Sequence, residues 1–366
     1  MDSKVVSDKT LEEVISHFGC SLENSTVSPL GNGLINWTFF VKSTVQSFVL
    51  QRINHHVFKK PLQVINNAEL ISEHLCNKQR KGEFALAPIS QVKTEQGEVF
   101  VQVDGAYWRA LEYIPKCYTV ESIEEIEQAE QAGSAFAQFT AALSDFSAES
   151  LSEIIPNFHN LQSRLDQLTE AVKNNAANRL ASCQNLVDYC FAQKAFIDGV
   201  ASISAQLPMH VTHNDTKINN LLFGSDEKAP VAVIDLDTCM PGFLMNDFGD
   251  MVRTCCSTEP EDGKNLAAMS IKFDVFMALA SSYVKGFDGK ITPLELKSLV
   301  IGAQLLPFMI GVRFLTDYIN GDVYFHAAHS EHNIDRAKNQ LHLYKLLSAQ
   351  ESKLSEIVHA GQAAMV

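Results

Sequence analysis

The chain has 366 residues and carries 29 Lys and Arg against 43 Asp and Glu, a formal net charge of −14 with histidine neutral. That balance repels phosphate backbones and excludes a basic nucleic-acid binder, while 46% hydrophobic and 20% charged residues exclude a disordered chain. At roughly 100 to 200 residues per domain, the length suits two or three domains, or two lobes that share a cleft.

The opening MDSKVVSDKTLEEV is charged throughout and does not read as a secretory signal. A short helix is predicted over residues 11–18, then strands over 27–30, 36–41 and 48–52, with Gly31, Asn32 and Gly33 as the first turn. A helix follows over 61–79, started by Pro61. VFVQVDGAYWRALEYI predicts two more strands joined at Asp104 and Gly105. From Ser122 the texture becomes helical, in SIEEIEQAEQAGSAFAQFTAAL, LQSRLDQLTEAVKN and NLVDYCFAQKAFIDGVASI. The exception is a hairpin formed by residues 220–223 and 231–236. Helix returns over 269–285, 293–318 and from 335 to the end. The longest apolar stretch, 299–312, is too short to span a bilayer and contains Gln304 and Pro307. Eight cysteines without a CxxC pair suit a reducing cytoplasm better than a zinc or disulfide framework. The fold class expected is α+β and bilobal, with a strand-rich N-terminal lobe (1–115), a mainly helical C-terminal lobe (116–366) and a hinge near 112–116.

Chemistry concentrates at His213-Asn214-Asp215-Thr216-Lys217-Ile218-Asn219-Asn220, which sets an Asp and an Asn five apart in a loop before a strand. That is the spacing of the kinase catalytic loop, in which the Asp takes the substrate hydroxyl proton and the Asn holds Mg²⁺. Across the hairpin, Asp235 arrives at a strand end, followed by Asp237, and carboxylate oxygen is the ligand Mg²⁺ prefers. The string Asp247-Phe248-Gly249 lies after the Pro241-Gly242 break and not on the hairpin, so Asp235 is the expected metal ligand. Asp247 and Asp250 read as a helix-start cap and a brace on the loop, and His213 as a loop anchor. Gly31, Asn32 and Gly33 serve either as a hairpin turn or as a phosphate cradle of main-chain N–H groups. Glu69 is either an exposed helix residue or the partner of a phosphate-contacting cation. Gln51 stands where strand alternation places the kinase lysine, and Arg52 points to the opposite face. Either Gln51, main-chain amides and Mg²⁺ serve the nucleotide, or Arg52 substitutes through a bulge.

At these residues the chain resembles the aminoglycoside phosphotransferase and choline kinase-like superfamily, and within it most resembles the N-acetylhexosamine 1-kinase family. The likeness runs in order through GNGLINWTF, FVLQRIN, HVTHNDTKINNLLF, VIDLDTCMPG, DFGDMVR, RFLTDYINGDVYF and EHN. It implies a protein-kinase-like fold and transfer of phosphate from ATP, with Mg²⁺, to the anomeric hydroxyl of N-acetylglucosamine or N-acetylgalactosamine. Carried over, Asp215 is the base and Asn220 and Asp235 hold metal. Gly31, Asn32, Gly33, Gln51, Glu69, Glu112 and Ile114 contact the nucleotide, and Asp215, Asn36, Arg313 and Tyr324 contact the sugar. From the residues alone, Arg313 instead pairs with Asp317 four positions on, and Tyr324 packs in a turn. The partners implied are ATP and a small sugar, without nucleic acid or membrane, acting on a cytoplasmic monomer. The competing readings are a kinase of an aminoglycoside, choline or another small alcohol, and a non-catalytic nucleotide-binding homologue.

Overall fold

A computed structural model of the protein describes residues 6–31 and 35–363. The first part runs α1 (Asp8–Ser16), β1 (Ser25–Pro29), β2 (Trp37–Ser43), β3 (Ser47–Arg52), α2 (Pro61–Arg80), β4 (Gln91–Val92), β5 (Val101–Val103) and β6 (Ala106–Glu112). These strands form one antiparallel sheet in the order β1-β2-β3-β6-β4, with β5 also on β6. The β5–β6 turn falls on Asp104 and Gly105, both at positive φ (51° and 72°), the pair of left-handed residues that a two-residue hairpin needs. Leu11, Val14 and Ile15 of α1 pack on Val41, Phe48, Leu50, Trp108 and Ala110, covering one sheet face. Alternation turns Gln51 and Arg109, directly opposite each other in the β3–β6 register, to the other face.

The second part runs β7 (Cys117–Tyr118), α3 (Ile126–Ala142), α4 (Leu161–Asn174), α5 (Leu180–Ala192), α6 (Lys194–Ser204), β8 (His210–Thr212), β9 (Leu221–Gly224), β10 (Pro230–Val233), β11 (Met240–Gly242), α7 (Leu244–Cys255), α8 (Phe273–Gly286), α9 (Pro293–Asn320), α10 (His332–Ala349) and α11 (Glu351–Ala363). β7 pairs with β9 and not with the first sheet, so the chain changes partners within a few residues of Glu112. The expected hairpin is β9–β10, and a further pair, β8–β11, flanks it. The helical run read over 185–203 is two helices, α5 and α6, broken at Gln193, because apolar residues continue on both sides of the break. β4, β7, β8 and β11, of two or three residues each, are too short to show alternation in sequence.

α9 is the central helix. Its mean hydropathy of 1.7 and length would suit a membrane span, yet 89% of that apolar window is buried inside the fold. It crosses α7 backbone to backbone: a Cβ on Gly302 would stand 1.9 Å from the Met245 carbonyl oxygen, and one on Gly249 2.2 Å from that of Gly302. The Asp247-Phe248-Gly249 string thus serves helix packing, with Phe248 fully buried. α2 ties the two parts together. Its Ala68, Ile71 and Leu75 join the core of α3, α7 and α8, and the Asn67 amide donates to the carbonyls of Ser152 and Cys239.

Candidate active site

The loop between β8 and β9 is fixed from below. His213 is fully buried against the ring edges of Phe136 and Phe139, with Nε2 2.9 Å from the Ile234 carbonyl and Nδ1 accepting from the Asp215 N–H. Burial pushes its pKa down, so it anchors the loop as a neutral ring. Asn214 sits at φ 64°, and its side chain binds the carbonyls of Thr212 and Thr238. Gly242 is required alongside, because a Cβ there would meet Thr212 Oγ1 at 2.2 Å. Asp247, in the first turn of α7, accepts from the main-chain N–H groups of His213 (2.9 Å) and Asn214 (2.7 Å). Burial raises its pKa to about 7 despite those two bonds. Asp247 is therefore the brace and not a cap, since the N-cap of α7 is Phe243, without a side-chain cap bond. Asp250 does not brace the loop, because it turns to Arg253 at 2.9 Å.

Asp215, Asn220 and Asp235 come together above this base. Asn220 Nδ2 donates to the Asp215 carbonyl (2.7 Å) and carboxylate (3.1 Å). Its amide oxygen accepts no hydrogen bond among the described residues. Lys217 Nζ lies 2.9 Å from Asp215. Desolvation works against the Asp215 charge, but Lys217's charge and hydrogen bond outweigh it and hold the carboxyl below its ordinary range, while Asp215 raises Lys217. The Ile234 N–H donates to the Asn220 carbonyl at 3.0 Å, which sets Asp235 beside Asn220. Asp235 has left-handed backbone (φ 60°, ψ 57°) and an exposed side chain. Desolvation by the surrounding walls, then the Asp237 and Asp215 charges, raises its pKa, against the opposing charges of Arg109 and Lys217. No cluster of three or more His, Cys, Asp or Glu suited to a metal occurs among the described residues. One carboxylate and one amide oxygen nevertheless fit Mg²⁺, which is commonly held by one or two carboxylates together with substrate phosphates.

On the strand-rich side, Gly31 has φ 69°, while Asn32 and Gly33 lie outside the described residues. Gln51 Oε1 accepts from Arg109 Nε (3.0 Å) and Nη2 (2.7 Å), and its nitrogen donates to Thr38. β3 keeps regular register and Arg52 stacks on Trp37 at 4.3 Å, so no bulge brings Arg52 to the lysine position. Arg109 is buried and ion-paired with buried Asp237, and its Nη1 has no partner among the described residues. Asn36 donates to Asp237 at 2.6 Å and accepts from the Asn54 N–H. Glu69 has Lys93 at 3.9 Å as its ionic neighbour. Glu112 and Ile114 flank Tyr113, which packs on Phe40 at 4.4 Å where β6 leads towards β7.

Arg313 and Tyr324 meet at 3.4 Å. Asp317 does not pair with Arg313. It accepts from the N–H groups of Val323, Tyr324 and Phe325 and so shapes the turn that carries Tyr324. Arg313 also lies over the rings of Phe158 (5.3 Å) and Phe325 (5.2 Å). Phe158 packs against His159 with the rings tilted at 55°, and the His159 Nε2 bonds the Asn214 carbonyl at 3.1 Å. This chain of contacts leads from Arg313 to the Asp215 loop. Burial, followed by the charges of Arg313 and Arg164, holds the His159 pKa down to about 3, leaving a neutral ring. Sequence reasoning missed Arg109, Lys217, Phe158 and His159. Only Lys217 carried a local signal, two residues after Asp215.

Comparison with known proteins finds a match over residues 26–269, two thirds of the chain, to a profile described as the phosphotransferase enzyme family, APH. Arg313 and Tyr324 lie beyond that match. Among solved structures, an aminoglycoside phosphotransferase from Alicyclobacillus acidocaldarius superposes with a TM-score of 0.60 at 15% identity, covering 98% of each chain. A microcompartment-associated aminopropanol kinase gives 0.58 at 16% identity, covering 95% of this chain and 99% of its own. A spectinomycin phosphotransferase solved with ADP and spectinomycin gives 0.53 at 14%, again over 95% and 99%. At these identities the superpositions establish the fold: a strand-rich part and a mostly helical part, as expected.

Proposed function

This chain belongs to the phosphotransferase enzyme family, and from that premise we propose that it transfers the γ-phosphoryl group of ATP to the anomeric hydroxyl of an N-acetylhexosamine. Small-molecule phosphotransfer to an alcohol is the family's chemistry. The sugar reading rests on the residues around the acceptor side. The observation that carries it is the charge there: Arg313 is joined to the Asp215 loop through Phe158 and His159, with Arg164 close enough to act on the same His159 ring. An ammonium-bearing acceptor would meet like charge. A neutral sugar offers hydroxyl and acetamide oxygens to a guanidinium, and an apolar ring face to Phe158 and Tyr324.

In this reading Asp215, ionised and held by Lys217 and Asn220, accepts a hydrogen bond from the 1-hydroxyl and aims its oxygen at the γ-phosphorus. The proton passes to Asp215 Oδ as the new phosphate ester forms and ADP leaves. Asp235 and the Asn220 oxygen would hold Mg²⁺, which neutralises phosphate charge when bound. A low Asp215 pKa suits positioning more than early proton abstraction, as expected where the transferred group itself carries little covalent demand. Eight cysteines without a disulfide support a cytoplasmic setting.

The test is phosphorus NMR of the protein with Mg-ATP and N-acetylglucosamine, N-acetylgalactosamine or kanamycin in parallel. A sugar phosphate doublet coupled to the anomeric proton, with stoichiometric ADP, is the expected result. Product with kanamycin alone would move the chain to antibiotic phosphorylation, and ATP binding without product in any tube would favour a non-catalytic homologue.

A further inference from the structure

β3 carries Gln51 where a kinase-like sheet carries its lysine, yet a cation stands one strand away. Arg109 lies on β6 directly across from Gln51 and is 2% exposed. Its Nε and Nη2 donate to Gln51 Oε1, and Nη2 also donates to Asp237 Oδ1. The other Asp237 oxygen accepts from Asn36 at 2.6 Å. Both oxygens of this carboxylate, two residues past Asp235, are therefore held from the strand-rich part of the molecule. On its other side the same turn is held by Thr238, which donates to the His213 carbonyl at 2.7 Å, and by Asn214, which donates to the Thr238 carbonyl at 3.0 Å. Between these two grips Asp235 keeps left-handed backbone (φ 60°, ψ 57°), which Asp adopts more readily than most residues. The helix acid that would partner a strand lysine, Glu69, has turned to Lys93.

Resting on the reading of Asp235 as a metal ligand, we infer that Arg109 is a positioning residue that acts through Asp237 to set the Asp235 turn for a divalent cation. The ion pair of the absent lysine, and not its phosphate contact, has moved: its cation from β3 to β6 and its acidic partner from α2 to the turn after β10. Gln51 serves this arrangement by accepting from the guanidinium.

The test needs no sugar. Binding of a fluorescent ADP analogue to the full chain is titrated in Mg²⁺ and in EDTA, for wild type, Arg109→Lys and the double variant Arg109→Met/Asp237→Asn. The double variant removes both charges together and leaves no buried charge unpaired, and circular dichroism melting establishes that each protein is folded. The expected result is a loss of at least ~10-fold in the Mg²⁺-dependent gain, the scale seen when a partner of a metal ligand is removed, with EDTA binding nearly unchanged. A folded double variant that keeps the wild-type gain would reduce the ion pair to a structural contact and overturn the inference. An equal loss in Mg²⁺ and EDTA would make Arg109, through its unpartnered Nη1, a direct nucleotide contact and would also overturn it. No Mg²⁺ dependence in the wild type would remove the metal reading of Asp235 and this inference together.

Discussion

The Asn220 amide donates to the Asp215 carboxylate at 3.1 Å and to the Asp215 carbonyl at 2.7 Å, so the proposed base and one proposed metal ligand hold each other in place. Replacing Asp215 by Asn keeps the shape and removes the charge that Lys217 and the acceptor hydroxyl both need. Turnover should fall by ~10² to 10⁴, the usual contribution of a positioned base, with ATP affinity largely intact. Steady-state kinetics and a nucleotide titration on the same preparation check this, and near-normal turnover would remove Asp215 from the chemistry.

Among the described residues Asp235 has no protein cation bonded to its carboxylate, unlike Asp215 and Asp237. Asp235→Ala should therefore cost little fold stability and act on nucleotide binding only when Mg²⁺ is present. Isothermal titration of ADP with and without Mg²⁺ separates the two. Retained metal dependence in this variant would place the ligand elsewhere.

What could be read beforehand was what is local. Asp215, Asn220 and Asp235 flank a hairpin whose spacing and alternation are written in consecutive residues, and the turn at Asp104 and Gly105 has its own two-residue signal. Arg109 was hidden because its partners lie 58 and 128 residues away, and strand register, which brings Gln51 and Arg109 together, leaves no trace in either segment alone. Phe158 and His159 were missed because their stretch has no periodicity to mark a buried face. The Asp247-Phe248-Gly249 string could be set aside as a metal motif from its place after the Pro241-Gly242 break, but not its glycine's contact with Gly302, on another helix.

That helix contact is itself testable. A methyl on Gly302 would stand 1.9 Å from the Met245 carbonyl and cannot be relieved by a side-chain rotation. Gly302→Ala should destabilise the protein by ~1 to 3 kcal/mol or more, as overpacking does. Gly105→Ala, with open space around its Cβ but a positive φ of 72°, tests backbone strain alone and should cost less, about 1 to 2 kcal/mol. Urea denaturation of both variants ranks them, and a Gly302→Ala protein as stable as wild type would refute the close α7–α9 approach.

On the acceptor side, Arg313→Ala should raise the KM for the sugar at least ~10-fold, about 1.4 kcal/mol of binding, and leave the KM for ATP unchanged. Arg313→Lys should recover only part, since an ammonium cannot present a planar fork to two oxygens. Tyr324→Phe keeps the ring and removes the hydroxyl that meets Arg313, so its effect should fall between wild type and Arg313→Ala. A rise in the KM for ATP instead would put Arg313 on the nucleotide side of the cleft.

The buried rings predict an acid-side weakness. His213 has its pKa pushed below the ordinary value of 6.5 by burial, so the unfolded chain takes up a proton that the folded one refuses. A depressed folded pKa means stability that is present above pH ~6.5 and is lost as pH falls below it. Asp247 pulls the other way: with its folded pKa raised to about 7 from 3.8, its contribution is largest at low pH and declines as pH rises through that window. The two slopes oppose each other between about pH 4 and 6.5, so the whole-protein denaturation curve cannot assign either. Site-resolved NMR of the imidazoles can. His213 should stay neutral at pH 5.5, with Nε2 protonated towards the Ile234 carbonyl and Nδ1 bare. A His213 that titrates near 6.5 would mean that water reaches the base of the Asp215 loop.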